Sequence, residues 1–336
     1  MSVRLRPAGR LEGREVREAV LQSASARITV LSWGATLRDW RVPVGGAERP
    51  ATLGLQRIED HPAHSPAFGA ICGRVANRVS NARFHLGGEE VCVTPNLGPH
   101  CLHGGPQGLG RSHWEMEADT ARTALRLTRL SPDGEGGWPG TVAFEAILAL
   151  DGPRLTFDLR ATPDRPTPIN LAQHSYWNLD DAPAAADHRL RLAASRVAET
   201  DADLIPTGRL LPVAGPLDFR ETRPLRGPGG APLALDHPFA LDPDRDPAAP
   251  AAELTGGRGD LRLRLWTDQP SLQVYTAPGL TLAVPGLDGR RYGPFAGVCL
   301  EAQNFPDAPN RPEFPDPVHG PDRPYRQVTT VEIAPT

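Results

Sequence analysis

The side chains best suited to chemistry fall in a few short stretches. In residues 170–179, NLAQHSYWNL, period-2 alternation puts Asn170, Ala172, His174, Tyr176 and Asn178 on one face of a single extended strand. A half-buried strand normally shows one clean apolar face. A row of His, Tyr and Asn fits a wet, polar cavity; it also fits an exposed strand face with an ordinary surface histidine. In residues 298–305, VCLEAQNF, Glu301 sits amid apolar neighbours and shares a face with Cys299 and Gln303. Its carboxylate is therefore expected to be partly desolvated. In residues 69–79, GAICGRVANRV, Arg74 and Arg78 flank Asn77 within a largely apolar run. A buried guanidinium is costly unless it is paired or bound to ligand oxygens.

Other groupings point elsewhere more weakly. His61 and His64 could ligate a metal if helical, but Pro62 and Pro66 argue against a helix. Cys101 beside His103 suggests a thiol nucleophile only in the way any nearby Cys and His do. Gly105, Gly108 and Gly110 run in the reverse of the dinucleotide-binding spacing and include Pro106. The chain has no lysine, since all 36 basic residues are arginines. Schiff-base, pyridoxal-phosphate and P-loop lysines are thereby excluded. A net charge of −4 without a basic run argues against nucleic acid. Cys72, Cys92, Cys101 and Cys299 form no Cys-x-x-Cys pair, so they read as free thiols in a reducing compartment. Residues 1–17 lack the apolar core of a signal peptide. No apolar run reaches the ~18 residues needed to span a bilayer, and a cytoplasmic location is expected.

The elements that must position these residues are strands. Prolines number 37 and glycines 34 of 336 residues, spread along the chain, which suits many short strands joined by turns. Strands are expected within residues 26–42. A hairpin with Gly87-Gly88 at its turn spans 83–93. Period-2 segments recur through 113–161, with Val142, Phe144, Ala146 and Leu148 on one face. Further strands are expected at 189–197, 261–265, 272–276, 298–305 and 327–333. Residues 221–257, rich in Pro, Gly, Ala and Asp, could be an interdomain linker or a lid over a cleft. They also hold the specific island Leu235-Asp236-His237-Pro238-Phe239. No helix of convincing length and no 20–50-residue repeat is present. The fold class is all-β, a large antiparallel β-sandwich with few or no helices.

Eight segments carry a resemblance. They are residues 73–78 (GRVANR), 102–105 (LHGG), 170–179 (NLAQHSYWNL), 205–208 (IPTG), 217–220 (LDFR), 236–239 (DHPF), 273–276 (QVYT) and 300–310 (LEAQNFPDAPN). In this order they resemble the aldose 1-epimerase (galactose mutarotase) family over about residues 25–335. The resemblance implies one domain over 1–336, a β-supersandwich with an open sugar cleft. It implies Glu301 as general base and His174 as general acid. It further implies Asn77, Arg78, His103, Tyr176, Asp236 and Gln273 as ligands of sugar hydroxyls, with Arg74 supporting. A small-molecule sugar is the implied partner, with no metal or other cofactor, in a monomer or homodimer that binds neither nucleic acid nor membrane. The chain departs from the pattern at Pro278, two residues after Tyr275-Thr276, where Asn is usual, at Trp177, where Phe is commoner, and in the turn 320–325. Those departures bear on which sugar is preferred.

The reaction so implied interconverts α and β anomers of a cyclic aldose. A base takes the C1 hydroxyl proton while an acid protonates the ring oxygen; the ring opens, C1–C2 rotates, and the ring closes on the other face. His103 is a second candidate for the acid, and Tyr176 and Trp177 could pack on a sugar face. Two other readings compete: an epimerase of a phosphorylated hexose, with Arg74 and Arg78 as clamp, and a catalytically silent sugar-binding protein. A polysaccharide lyase would need a helical domain for which the chain has no room.

Overall fold

The structure, a computed structural model, describes residues 2–65 and 67–336. Three large antiparallel sheets carry the fold. A nine-stranded sheet contains Glu115–Asp119, Ala124–Ser131, Val142–Asp151, Arg154–Pro163, Tyr325–Pro335, Leu261–Thr267, Ala252–Thr255, Arg189–Leu192 and Arg223–Pro224, in that spatial order. A six-stranded sheet runs Tyr176–Trp177, Val298–Gln303, Ser271–Tyr275, Asp236–Ala240, Arg196–Thr200, Pro206–Pro212. A five-stranded meander spans Ser2–Leu11 to Ala47–Pro50.

One continuous core joins all three. Leu125, Val142, Phe144, Ala146, Leu148, Phe157 and Val331 from the nine-stranded sheet meet Leu21, Ile28 and Trp40 of the meander, and Leu272, Val274, Val298 and Leu300 of the six-stranded sheet. The expected alternation holds where one face is solvated: Val142, Phe144, Ala146, Leu148 and Leu150 are buried, and their neighbours point outward.

Local readings differ from the observed elements at several points. Residues 170–179 are not one strand. Ala172–Gln173 pairs with Ile71–Cys72, and Tyr176–Trp177 pairs with Val298–Gln303. His174 sits at the change of partner, with its backbone bonded to Gly69 and Ala70. Alternation therefore does not carry through the segment. Asn170 exchanges hydrogen bonds with the Asn304 backbone, and Asn178 donates to Ala182 and Ala296 carbonyls, so neither shares a face with His174. Residues 189–197 likewise split between the nine- and six-stranded sheets.

The segment 221–257 is no linker: it gives Asp236–Ala240 to one sheet and Arg223–Pro224 and Ala252–Thr255 to the other. His61–His64 forms one α-helical turn after all, because Pro62 occupies its first turn, where a missing N–H costs nothing. Pro66 lies outside the described residues. The strands Ser2–Leu11 and Arg14–Gln22 form a hairpin before the stretch the resemblance covers. No helix among the described residues is long and apolar enough to cross a membrane.

Candidate active site

Glu301 is placed by the strand Val298–Gln303, all six of whose residues are buried. Val298, Leu300 and Ala302 face the common core. The opposite face of the same strand presents Glu301 to a cavity of about 340 Å³. The neighbouring strand pairs Gln273 with Glu301, and the next pairs Asp236 with Tyr275. His174 reaches the same cavity from the crossover between the two strand pairings.

The third wall comes from the loops 73–79 and 101–105. Cys101–Leu102 pairs with Arg78–Val79. Gly104 lies so near residue 73 that a Cβ would stand 2.0 Å from the Gly73 carbonyl oxygen, so only glycine fits. That approach sets His103 beside Asn77. The Asn77 backbone N–H donates to His103 Nδ1 at 3.1 Å. Nδ1 is therefore the acceptor, and the neutral ring carries its proton on Nε2. The loop 305–310 locks this wall to the Glu301 strand. Asp307, fully buried, donates its N–H to the Arg78 carbonyl at 2.8 Å and accepts from the Ser80 N–H at 2.9 Å.

Asn77, Arg78, His103, His174, Tyr176, Asp236 and Glu301 all line the one cavity. Arg78 Nη2 lies 3.3 Å from Asp236 Oδ2, and the Asn77 carboxamide oxygen accepts from the Arg78 N–H at 2.8 Å. His174 stacks on Tyr176 with ring centres 5.1 Å apart and planes 15° apart. His174 Nε2 faces Glu301 Oε2 at 3.6 Å.

The two other expected residues lie outside that lining. Gln273 donates its amide to Asp236 Oδ1 and stands behind that carboxylate. Arg74 bonds Ser131 Oγ and the carbonyls of residues 131, 132, 139 and 140, and so anchors the loop behind the wall. Trp177 is packed edge-on against Trp40 in the core and cannot stack on a ligand in the cavity. Cys101 packs with Phe84 and Trp138, and burial pushes its thiol up to about 12, which removes it as a nucleophile.

The sequence reading also missed lining residues. Trp33, Thr36, Ser65 and Arg111 carry no local pattern that marks them. His61 was considered only as a metal ligand.

Burial dominates the electrostatics. It lowers His174 to about 4. It holds Glu301 well above the usual carboxylate range, with Asp236 adding to the rise and Arg78 opposing it. His103 is held well below the usual imidazole range by burial first, then by His174 and Arg78. Burial thus favours the neutral forms of both Glu301 and His174, and His103 is a neutral Nε2–H donor. Donor atoms of His103, His174 and Glu301 lie within 4.8 Å of one another, close enough to suggest a metal. The tautomer of His103 opposes it: a ligating Nε2 would need the proton on Nδ1, where the Asn77 N–H already points.

A polar cavity with a buried carboxyl–imidazole pair at its floor, set on one layer of a large β-sandwich, is built for proton transfer to a small polar molecule. The chain belongs to the aldose 1-epimerase family, whose model matches residues 18–332, and it is an isomerase of that type. It is 34% identical to the galactose mutarotases of Mus musculus and Homo sapiens over 327 residues, 94% of this chain and 94% of each of theirs. It is 33% identical to the aldose 1-epimerase of Escherichia coli (strain K12) over 322 residues, 93% of this chain and 92% of that one. The crystal structure of an aldose epimerase homologue from C. elegans superposes with a TM-score of 0.88 at 28% identity, covering 95% of this chain and 99% of that one. A galactose 1-epimerase from Lactobacillus acidophilus NCFM, at 24% identity and a TM-score of 0.84, shares the fold.

Proposed function

We propose that this isomerase interconverts the α and β anomers of a free aldose such as glucose or galactose, with Glu301 as base and His174 as acid. The observation that carries the assignment is the buried Glu301–His174 pair, 3.6 Å apart at the floor of the cavity. In the acting form the pair's one proton is on His174. Glu301 takes the proton of the C1 hydroxyl as His174 gives its proton to the ring oxygen. The C1–O5 bond breaks and an aldehyde forms at C1. After rotation about C1–C2 both protons return, the roles reversed, and the ring closes on the other face. Arg78 favours the ionised Glu301 and so opposes the burial that would keep the proton there.

His103, fixed as a neutral donor, binds a sugar oxygen. Asn77, Arg78 and Asp236 read hydroxyls, Tyr176 positions His174, and Gln273 orients Asp236. The enzyme works in the cytoplasm, without a metal or other cofactor, as a monomer or homodimer. It engages neither nucleic acid nor membrane.

Polarimetry of freshly dissolved α-D-glucose and α-D-galactose tests the reading. Wild type accelerates the approach to anomeric equilibrium, and Glu301→Gln loses at least ~10² in kcat while keeping its fold, as expected for removal of one acid–base group. Near-full activity in Glu301→Gln overturns the assignment.

A further inference from the structure

The cavity has a second end that the proposed acid–base cycle does not use. That end is the part of the lining contributed by Trp33, Thr36, His61, Ser65 and Arg111, and it adjoins Ala70 through Gly110. Its chemistry is the opposite of that at the floor. The floor holds Glu301 and Asp236, and its arginine is paired with Asp236. The far end holds no carboxylate. Arg111 makes no ion pair among the described residues. Among the described residues its one side-chain hydrogen bond runs from Nη2 to the Pro62 carbonyl at 2.6 Å, which ties it to the His61–His64 turn and leaves Nε and Nη1 without a partner there.

His61 in that turn is 2% exposed, and its Nε2 has no hydrogen-bond partner among the described residues. A buried polar atom left unpaired is unusual and marks a site completed by something else. Ser65 Oγ accepts from the Phe68 N–H at 3.0 Å, so its own O–H remains to donate. The far end thus offers donors and one cation, with no anion to compete.

Resting on the mutarotase reading of the same cavity, we propose that the far end is a subsite for a carboxylate on the sugar, and that the enzyme accepts hexuronates. A carboxylate is an acceptor-only, planar monoanion that one guanidinium can hold through paired N–H groups. A sugar phosphate carries close to two charges and calls for more than one cation, which the far end does not supply. The carboxylate hangs from C5, next to the ring oxygen. With that oxygen at His174 it leaves the ring on the His174 side, past Ala70, whose carbonyl accepts from the His174 N–H and which lies against Gly110, toward Arg111, with His61 and Ser65 completing the hydrogen bonds.

The experiment compares mutarotation of D-galacturonate, D-glucuronate, D-galactose, D-glucose and glucose 6-phosphate by wild type, Arg111→Met and Ser65→Ala, by polarimetry at two ionic strengths. At low salt, wild type turns over at least one hexuronate with kcat/KM no lower than for the matching neutral hexose. Arg111→Met lowers the uronate-to-hexose ratio of kcat/KM at least ~10-fold, the loss expected of one charge-assisted contact. Ser65→Ala, which leaves the Arg111–Pro62 bond in place, lowers the ratio about 3-fold, in line with a single neutral hydrogen bond. The wild-type KM for the uronate rises with salt while that for the neutral sugar does not. A wild-type uronate activity below one-hundredth of the hexose activity overturns the subsite and leaves the mutarotase reading standing. So does a ratio unmoved by Arg111→Met, and so does a preference for glucose 6-phosphate over both uronates. Failure of wild type to accelerate any of the five sugars would instead overturn the mutarotase reading itself.

Discussion

In the nine-stranded sheet, the strand Val142–Asp151 buries every second residue and sends the others outward, where Glu145 meets Arg126 and Arg160. In the six-stranded sheet, the strand Val298–Gln303 has no outward face at all. Its second face holds Cys299, Glu301 and Gln303, and is covered by the cavity walls and a small apolar cluster around Phe68 and Tyr176. The first strand spends its polar residues on solvation. The second buries a carboxylate at a cost that no neighbouring cation fully offsets, since Arg78 is already engaged with Asp236. A fold that keeps such a group in place keeps it for chemistry. If so, changes on the two strands must separate: one set moves rate and leaves stability, the other moves stability and leaves rate.

The largest separation is expected at the acid. His174→Asn lowers kcat at least ~10²-fold, whereas His103→Asn chiefly raises KM, since a neutral donor fixed by the Asn77 N–H binds rather than transfers a proton. A kcat loss in His103→Asn equal to that in His174→Asn would return the acid role to His103. The pH profile of kcat/KM sharpens the same point. In the proposed mechanism activity needs one proton on the Glu301–His174 pair. As pH falls through about 4, His174 binds a second proton, no base remains, and activity drops. As pH rises past the elevated Glu301 value, the pair loses its proton, no acid remains, and activity drops again. A profile that is flat down to pH 3 breaks this account.

Phe144 supplies the opposite arm. It is 1% exposed in the common core. Phe144→Ala is expected to cost about 3–5 kcal/mol, the transfer and cavity cost of an aromatic core side chain, measured by urea unfolding. Well below its unfolding temperature the variant should keep kcat within about threefold, under 1 kcal/mol of barrier. A tenfold loss of kcat in the folded variant would show that the two sheets are not independent.

The same contrast explains what was legible in the sequence. The strands Val142–Asp151, Arg154–Pro163, Leu261–Thr267 and Tyr325–Pro335 of the nine-stranded sheet follow from alternation, because a solvated face leaves its mark at every second position, whereas Arg223–Pro224 and Ala252–Thr255 are too short to show it. Glu301 was legible as a lone charge in an apolar strand, and Arg78 as a cation in an apolar loop. Residues 170–179 misled because alternation has meaning only within one pairing, and His174 stands where the partner changes. Trp177 looked like a sugar platform beside Tyr176, yet it turns to Trp40, because neighbouring strand residues face opposite sides. Arg74 was recognisable as costly, though not as spent on the loop 131–140. The lining by Trp33, Thr36, Ser65 and Arg111 depends on loops meeting in space, which no local pattern records. The ordered segments pointed to the site because six of the eight, all but 205–208 and 217–220, contribute residues to the cavity lining.

The smallest effect is expected on the solvated face. Arg126 is 51% exposed and bridges Glu145 at its Nε and Glu117 at 3.2 Å. Removing its charge with Arg126→Met should change stability by less than about 1 kcal/mol and leave kcat and KM as they are, because ordering two long side chains and screening by salt cancel most of an exposed pair's attraction. The loss should shrink further at 1 M NaCl, where the Debye length is about 3 Å. A cost above about 2 kcal/mol would be out of range for an exposed pair. It would mean that the outer face of the nine-stranded sheet is covered in solution, and that its polar residues, like those of the Glu301 strand, answer to a partner rather than to water.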